Sequence, residues 1–428
     1  MFRKTVMLWA VCTLLLLALA TGCAQQPAPA PSTEAETGTG AEAPAPPAKD
    51  KIVFGSVHSI SGPLAIIEEA AFGPIRELWV EDVNARGGIY VEEYGKQLSV
   101  ELIEYDDKSD IGTMTRLLEK LILEDQVDFI LPPTGTAMLY AAAPIADKHG
   151  YILPGMSGGA KSIKEIISGL PYFFSNLNYS DTQVPPFVEL AGELGIETAA
   201  ILFIEDLHGA EYSGAAVPAL AQKGIDVVFV KSIPPGIKDM SSILKEAQAT
   251  DVDLLMCLAY PDENILCVSQ CMELGFNPKA MIFGPGVCYG FFKDIFGAEG
   301  VEGLMSWGAW NERSTPESKE FLDKFIARFG ESMVDWWGHN LYWAGIQILE
   351  QAIERAGTLD HAVIREIMAT EKFDTVLGET YYDENRMLAA ECHTGEVGQW
   401  QNGKFEVIAP RDKATADAVY PKPGWPGQ

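Results

Sequence analysis

The sequence predicts an α/β protein built as two comparable halves, each a parallel sheet with helices around it. Three observations carry this expectation. Short β-branched apolar runs alternate with helical stretches at the pitch of βαβ units. The alternation pauses around Pro171 to Ser180 (PYFFSNLNYS) and then restarts at a similar spacing. Finally, 428 residues with 47% hydrophobic content exceed what one core usually organises, so two lobes are expected.

Before the first strand lies a targeting segment. Arg3 and Lys4 precede the apolar run Val6 to Ala20, which ends in Leu19-Ala20-Thr21-Gly22-Cys23. The run is short for a membrane span, and its ending resembles the lipobox of bacterial lipoprotein signals, with Ala20 where Leu is commoner. That resemblance implies a signal peptide over residues 1–22, cleavage before Cys23 and a lipid on the Cys23 sulfur. An uncleaved signal anchor is the alternative. In both cases the protein is expected in the periplasm or on the outer face of the cytoplasmic membrane, held to it through its N-terminus. Residues 23–50 are rich in Pro, Ala, Thr and Glu without a large apolar side chain, so they are expected to form a disordered tether. The balance of 31 Lys+Arg against 60 Asp+Glu gives −29, and no basic cluster interrupts it. Nucleic acid is excluded as a partner on that ground.

The elements then follow in order. Lys51 to Val57 (KIVFGSV) reads as a buried strand that runs into Ser59-Ile60-Ser61-Gly62-Pro63, where Ser61 suits a helix cap and Pro63 a first helical turn. A helix from Ile66 to Ala85 is closed by Arg86-Gly87-Gly88, and a strand follows at Leu98 to Glu104. Next come a helix at Ile111–Glu124, a strand at Val127–Leu131, a helix at Thr136–Lys148 and a strand at Tyr151–Leu153. In the second series, strands are read at Thr198–Ile204, Ile225–Val230, Val252–Leu258 and Ala280–Phe283. Their helices are Val184–Leu194, Gly214–Gln222, Met240–Gln248 and Asn264–Leu274. Val301 to Trp310 reads as a second passage between the halves, followed by helices at Pro316–Phe329, Trp336–Ala356 and His361–Ala369. Trp336 and Trp337 are expected in the core. A late hairpin, Val397–Trp400 with Lys404–Ile408, turns on Gln401-Asn402-Gly403.

Ligands of open parallel sheets bind outside the carboxyl ends of the strands, so the loops after strands hold the candidate site. Four stand out: His58 to Gly62, Pro132 to Thr136, Pro154 to Gly159 and Glu205 to Gly209. Three are dense in hydroxyls and glycines, which donate hydrogen bonds to a carboxylate without bringing a competing charge. Five cysteines remain beyond Cys12 and Cys23: Cys257, Cys267, Cys271, Cys288 and Cys392. Buried thiols are expected, since Cys267 and Cys271 sit four apart on a helix and no zinc spacing completes them. The acidic run Glu104 to Asp110 lacks the calcium-loop pattern, so no metal is expected.

With these loops in view, the chain resembles the periplasmic leucine/isoleucine/valine-binding proteins, the type I solute-binding components of ABC importers. The matching stretches are KIVFGSVHSISGPL, VNARGGI, ELIEYDDKSD, TGTAMLYAAAPIADKHGYILPGMSGG and FDTVLGETYYDEN. The resemblance implies two Rossmann-like lobes joined by three crossovers near Asn176–Ser180, Ser306–Trp310 and Asp374–Gly378. One lobe would hold residues 51–175 and 311–374, the other 176–310 and 375–428. It further implies a monomer without cofactor or catalysis, which closes on a small carboxylate-bearing ligand of the branched-chain or hydrophobic amino-acid class and delivers it to a membrane permease. The ligand acid falls to Thr134, Gly135, Thr136, Gly155 and Ser157. Ser61 would line the first wall, while His208, Tyr260 and Tyr289 would act from the second.

One departure bears on the ligand. Amino-acid-binding relatives carry a glutamate in a G-P-E-G loop that pairs with the ligand ammonium, and this chain has Gly284-Pro285-Gly286-Val287-Cys288. Either another acid such as Glu205, Asp206 or Glu211 substitutes, or the ligand is an aromatic acid, an amide or a urea without an ammonium. A different class is also readable. Gly155-Met156-Ser157-Gly158-Gly159 fits the G-x-S-x-G nucleophile elbow, so a serine hydrolase using Ser157 with Asp335 and His339, or Asp360 with His361 or His393, is the competing expectation. An extracytoplasmic sensor module is a further one, its signalling partner a separate chain.

Overall fold

A computed structural model describes residues 48–177, 179–393 and 395–427. The signal segment, Cys23 and the tether as far as residue 47 lie outside the described residues.

The first sheet contains β1 (Lys51–His58), β2 (Ile89–Val91), β3 (Lys96–Asp106) and β4 (Phe129–Leu131), in the spatial order β2-β3-β1-β4. β1 pairs in parallel with β3 from Lys51↔Ser99 to His58↔Asp106, and with β4 on its other side. Phe54 shows why this strand is central. Its ring stacks on Phe129 at 5.1 Å and meets the edge of Trp79 at 4.9 Å, the geometry aromatic pairs favour in a core. At Gly55 a Cβ would lie 2.9 Å from the Leu121 side chain, so glycine lets the helix Ile111–Leu123 approach the sheet.

β5 (Leu153–Gly155) and β6 (Phe173–Ser175) form a separate parallel pair. The strand therefore starts two residues later than the sequence reading places it. The Ile152 N–H is taken by His361 Nδ1 at 3.2 Å, and only from Leu153 does the backbone face Phe173. β6 occupies the stretch that reads as a pause, because three residues carry no period.

The second sheet has seven strands. β7 (Thr198–Ile204), β8 (Asp226–Ile233), β9 (Leu254–Leu258), β10 (Ala280–Phe283) and β11 (Leu304–Trp307) run parallel to one another. A small antiparallel pair, β12 (Phe373–Thr375) with β13 (Gly378–Thr380), stands apart. The hairpin of β14 (Val397–Gln401) and β15 (Lys404–Ala409) joins β11 antiparallel, giving the order β15-β14-β11-β10-β9-β7-β8. The positive φ of Asn402 and Gly403 matches the Asn-Gly turn expected there. All five late cysteines are free thiols, four of them buried.

The entrance to the first long helix departs from a regular α-helix. Ala65–Ile67 is α-helical, Glu68–Phe72 is a π turn, and Gly73–Ala85 is α-helical again. The inserted turn changes which side chains face inward, and it places Glu68 and Phe72 in the interior.

Candidate functional site

A cavity of about 30 Å³, room for about one water molecule, lies between segments that follow β1, β4, β5, β6, β7, β9 and β10. Strand ends from both sheets thus supply its walls, as the position of sites in parallel sheets requires.

One wall is small and polar. The helix Thr136–Lys148 starts at Gly135, whose φ of 90° lies where L side chains are strained, and no side chain caps it. Gly135 and Thr136 line the cavity together with Ser157 and Gly159. Thr136 Oγ1 accepts the Gly159 N–H at 3.3 Å, and Ser157 Oγ donates to the Pro133 carbonyl at 2.6 Å. Both hydroxyls are thereby held at fixed positions.

The opposite wall is aromatic. Tyr260 and Tyr289 line it and are the N-caps of Pro261–Leu274 and Gly290–Val301, neither of which has a side-chain cap. Three helix starts without side-chain caps therefore border one cavity; the one at Gly135 offers backbone N–H groups and the positive end of a helix dipole, whereas the second begins with Pro261 and carries Asp262 and Glu263 in its first turn, and the third gives its Gly290 N–H to the Val334 carbonyl and breaks at Gly297. His208 sits in the first turn of Leu207–Gln222, stacked at 5.4 Å on Tyr260 and 4.4 Å from Tyr212. Burial disfavours its imidazolium, lowers its pKa against the pull of Asp206 and Glu211, and keeps the ring neutral; its Nε2 has no hydrogen-bond partner. Tyr260 donates to Asp206 Oδ2 at 2.7 Å, and burial beside that carboxylate pushes its phenol well up.

Of the expected site residues, the cavity brings together Gly135, Thr136, Ser157, His208, Tyr260 and Tyr289. Three others are placed elsewhere. Ser61 is exposed, and both its N–H and its hydroxyl are bound to the Asp106 carboxylate, so it caps a loop instead of lining a wall. Thr134 is buried but turns its hydroxyl to Glu68. Gly155 lies inside the β5–β6 pair, where a Cβ would meet the Phe173 ring at 2.6 Å, so its role is packing. Trp337 is buried in the core as expected and also lines the cavity, because the helix begins at His339 and leaves Trp337 in the preceding turn. Phe72 and Tyr342, in contact at 4.3 Å, also line it and carry no sequence signal beyond their aromatic type.

Behind the polar wall lies a buried ionic cluster. Glu68 on the π turn contacts Arg76, His58 (2.9 Å to Nδ1) and Thr134. Burial alone would raise its pKa, but the Arg76 charge and the His58 contacts outweigh burial and hold it at about 2. His58 also meets Glu104 at 3.2 Å, and burial is outweighed there too by its two carboxylate partners, so its pKa is raised.

The acids weighed as replacements for the missing glutamate are committed elsewhere. Glu205 accepts the Ser232 hydroxyl, Glu211 accepts the Ser162 N–H, and Asp206 is held by Tyr260 and the Gly209 N–H. The hydrolase reading meets a geometric obstacle. His339 donates from Nε2 to the Ala70 carbonyl and accepts the Asp335 N–H at Nδ1, His361 spans Ile152 and Asp128, and His393 pairs with Glu396. Ser157 donates to a carbonyl and not to any of these rings.

The sequence profile of the family described as "Periplasmic binding protein" matches residues 51–404. The chain belongs to the periplasmic binding protein family. Among curated relatives of this family, Leu/Ile/Val-binding protein homolog 7 of Brucella suis is 25% identical over 397 residues, covering 88% of this chain and 96% of its own length. Two solved structures show the same fold. The branched-chain amino acid transporter substrate-binding protein of Streptococcus pneumoniae, in complex with isoleucine, superposes with a TM-score of 0.70 at 19% identity, covering 84% of this chain and all of the other, 100%. An ABC transporter solute-binding protein of Rhodopseudomonas palustris, in complex with 3,4-dihydroxy benzoic acid, gives 0.71 at 18% identity, with 87% and 99% covered. The fold of this periplasmic binding protein is thus the type I fold of two Rossmann-like lobes with parallel-sheet cores. The family is one of extracytoplasmic solute-binding proteins, and among the described residues no helix is long and apolar enough to cross a membrane.

Proposed function

We propose that the protein captures a small carboxylate-bearing solute between its lobes and hands it to an ABC permease, anchored to the membrane through a lipid on Cys23. The lobes in this reading are residues 51–175 with 311–374 and residues 176–310 with 375–428, acting as a monomer without catalysis of its own. One observation carries it: the helix start at Gly135, without a side-chain cap, borders a cavity that also holds two fixed hydroxyls and several aromatic faces. An acid group fits the N–H and hydroxyl side, and an apolar or aromatic body fits the rings. A cavity of about 30 Å³ holds no such molecule, so entry requires the walls to separate and close again by a hinge. The ligands of the two structural neighbours, isoleucine and a dihydroxybenzoic acid, share a carboxylate and support the same class.

The test is a thermal-shift screen of purified protein against amino acids, aromatic acids and the primary amide of each. Free acids are expected to raise Tm and their amides to leave it unchanged, because binding to the native state alone stabilises it. Amides that stabilise as well as their acids would overturn the proposal. Labelling of the intact lipoprotein in membranes, lost in Cys23→Ser, checks the anchor.

A further inference from the structure

A second and much larger opening, of about 900 Å³, lies next to the cavity described above, and Leu177 is the one residue that lines both. Its walls are the first turns of the helix Ser180–Glu193, the segment 383–393 and the end of β15. The frame is fixed by main-chain bonds. The Ser175 N–H donates to the Arg386 carbonyl at 2.9 Å and the Leu388 N–H to the Ser175 carbonyl at 2.8 Å, so residues 386–388 run alongside β6. Most of the lining is apolar: Leu190 and Ile408 are buried, Met387 and Leu388 half-buried, and Pro185 and Pro186 face them from the helix.

Charged side chains rim this pocket, but its bases are already taken. Lys164 pairs with Asp181 at 2.8 Å and Arg411 with Glu193 at 2.9 Å. Glu189, Glu193, Asp383 and Asp412 outnumber these two bases, so an anionic head would meet excess negative charge and no uncommitted cation. A cationic head gains little in exchange. Glu189 pairs with Lys223, Asp383 accepts the N–H groups of Asn385 and Met387, and Asp412 is exposed to water.

Two features of the wall can still hydrogen-bond a guest. Pro185 and Pro186 have no N–H, so the carbonyls of Asp181 and Thr182, four residues earlier, receive no helical bond. Asn176, which lines the pocket, is 0% exposed; its Oδ1 accepts the Tyr382 hydroxyl at 2.8 Å, whereas its Nδ2 has no hydrogen-bond partner among the described residues. A buried amide left in that way is costly unless something completes it. One feature offers acceptors and the other a donor, and a hydroxyl answers both, since it donates one hydrogen and accepts another.

We infer that this pocket is a second binding site, for an uncharged amphiphile whose alkyl chain packs between the apolar walls and whose hydroxyl-bearing head meets Asn176 and the Pro185–Pro186 turn, as a monoacylglycerol would. A volume of this size suits such a molecule and far exceeds the first cavity. The inference stands independently of what the first cavity binds.

The experiment titrates the protein calorimetrically with 1-decanoylglycerol below its micelle concentration, beside decanoate and decyltrimethylammonium, which share the chain and differ in the head. The variant is Ala390→Trp. Ala390 is exposed, lines this pocket and not the first cavity, and its replacement puts an indole into the space without disturbing the core, as an unchanged melting temperature would verify. Wild type is expected to bind one decanoylglycerol per chain at least about tenfold tighter than either charged compound, and Ala390→Trp to weaken that binding at least about tenfold. No binding of decanoylglycerol by wild type, equal binding of the three compounds, or full binding by a folded Ala390→Trp would each overturn the inference, and none of these results bears on the carboxylate site.

Discussion

Glu68 and Asp335 are both buried carboxylates near the cavity-lining ring of Tyr342, and they are held in opposite ways. Glu68 has a guanidinium, an imidazole and a hydroxyl around it, and its pKa is held at about 2. Asp335 has the Trp337 and Gly338 N–H groups and a thiol around it but no cation, and burial pushes its pKa up to about 7. The difference is one of compensation. A buried carboxylate with a cation beside it stays ionised, whereas one without takes up a proton near neutral pH.

The largest effect should come from uncompensating Glu68. Arg76→Ala leaves its carboxylate buried without its main partner and is expected to cost about 3–5 kcal/mol, read from urea unfolding at pH 7. A loss under about 1 kcal/mol would mean that the cluster is solvated and that the contrast fails.

The two acids should also show in the pH dependence of stability, with opposite signs. The Glu68 contribution is present above its ordinary carboxylate range and is lost as pH falls through about 2. The Asp335 contribution is present below about 3.8 and is lost as pH rises through about 7, a change on the order of 4 kcal/mol. Asp335→Asn should therefore flatten this fall and raise the melting temperature of ligand-free protein at pH 8, but not at pH 4. A variant that melts lower than wild type at pH 8 would contradict the assignment.

Smaller changes sharpen the polar wall. Thr136→Ala removes a hydroxyl at the cavity and is expected to weaken binding of an acid about tenfold while lowering stability by about 1 kcal/mol. Ser61→Ala, by contrast, removes only an exposed hydroxyl on Asp106 and should leave affinity unchanged, with stability moved by less than about 0.5 kcal/mol. An affinity loss in Ser61→Ala matching that of Thr136→Ala would put Ser61 back on the wall.

The parallel sheets were legible because strand and helix periods are long, and the helix Thr136–Lys148 and the strand Thr198–Ile204 fall on the residues the pattern marks. The loop residues nearest the strand ends, Gly135, Thr136 and Ser157, were legible for the same reason, since position after a strand is a sequence property. Thr134 and Gly155 look the same in sequence and are not in the cavity, because a one-residue step along a turn reverses where a side chain points. Phe72 needed the π turn, and Trp337 and Asp335 needed the packing of a distant segment onto Tyr289. Such placements come from tertiary contacts with no local period.

The most direct test of the central claim is calorimetric titration of the best acid from the screen against its own primary amide, at pH 7.5 and fixed ionic strength. Binding of the acid at least about 100-fold tighter than the amide is the result expected of a cavity bordered by a helix N-terminus and hydroxyls. Equal affinities for the two would show that the site does not read a carboxylate and would contradict the account.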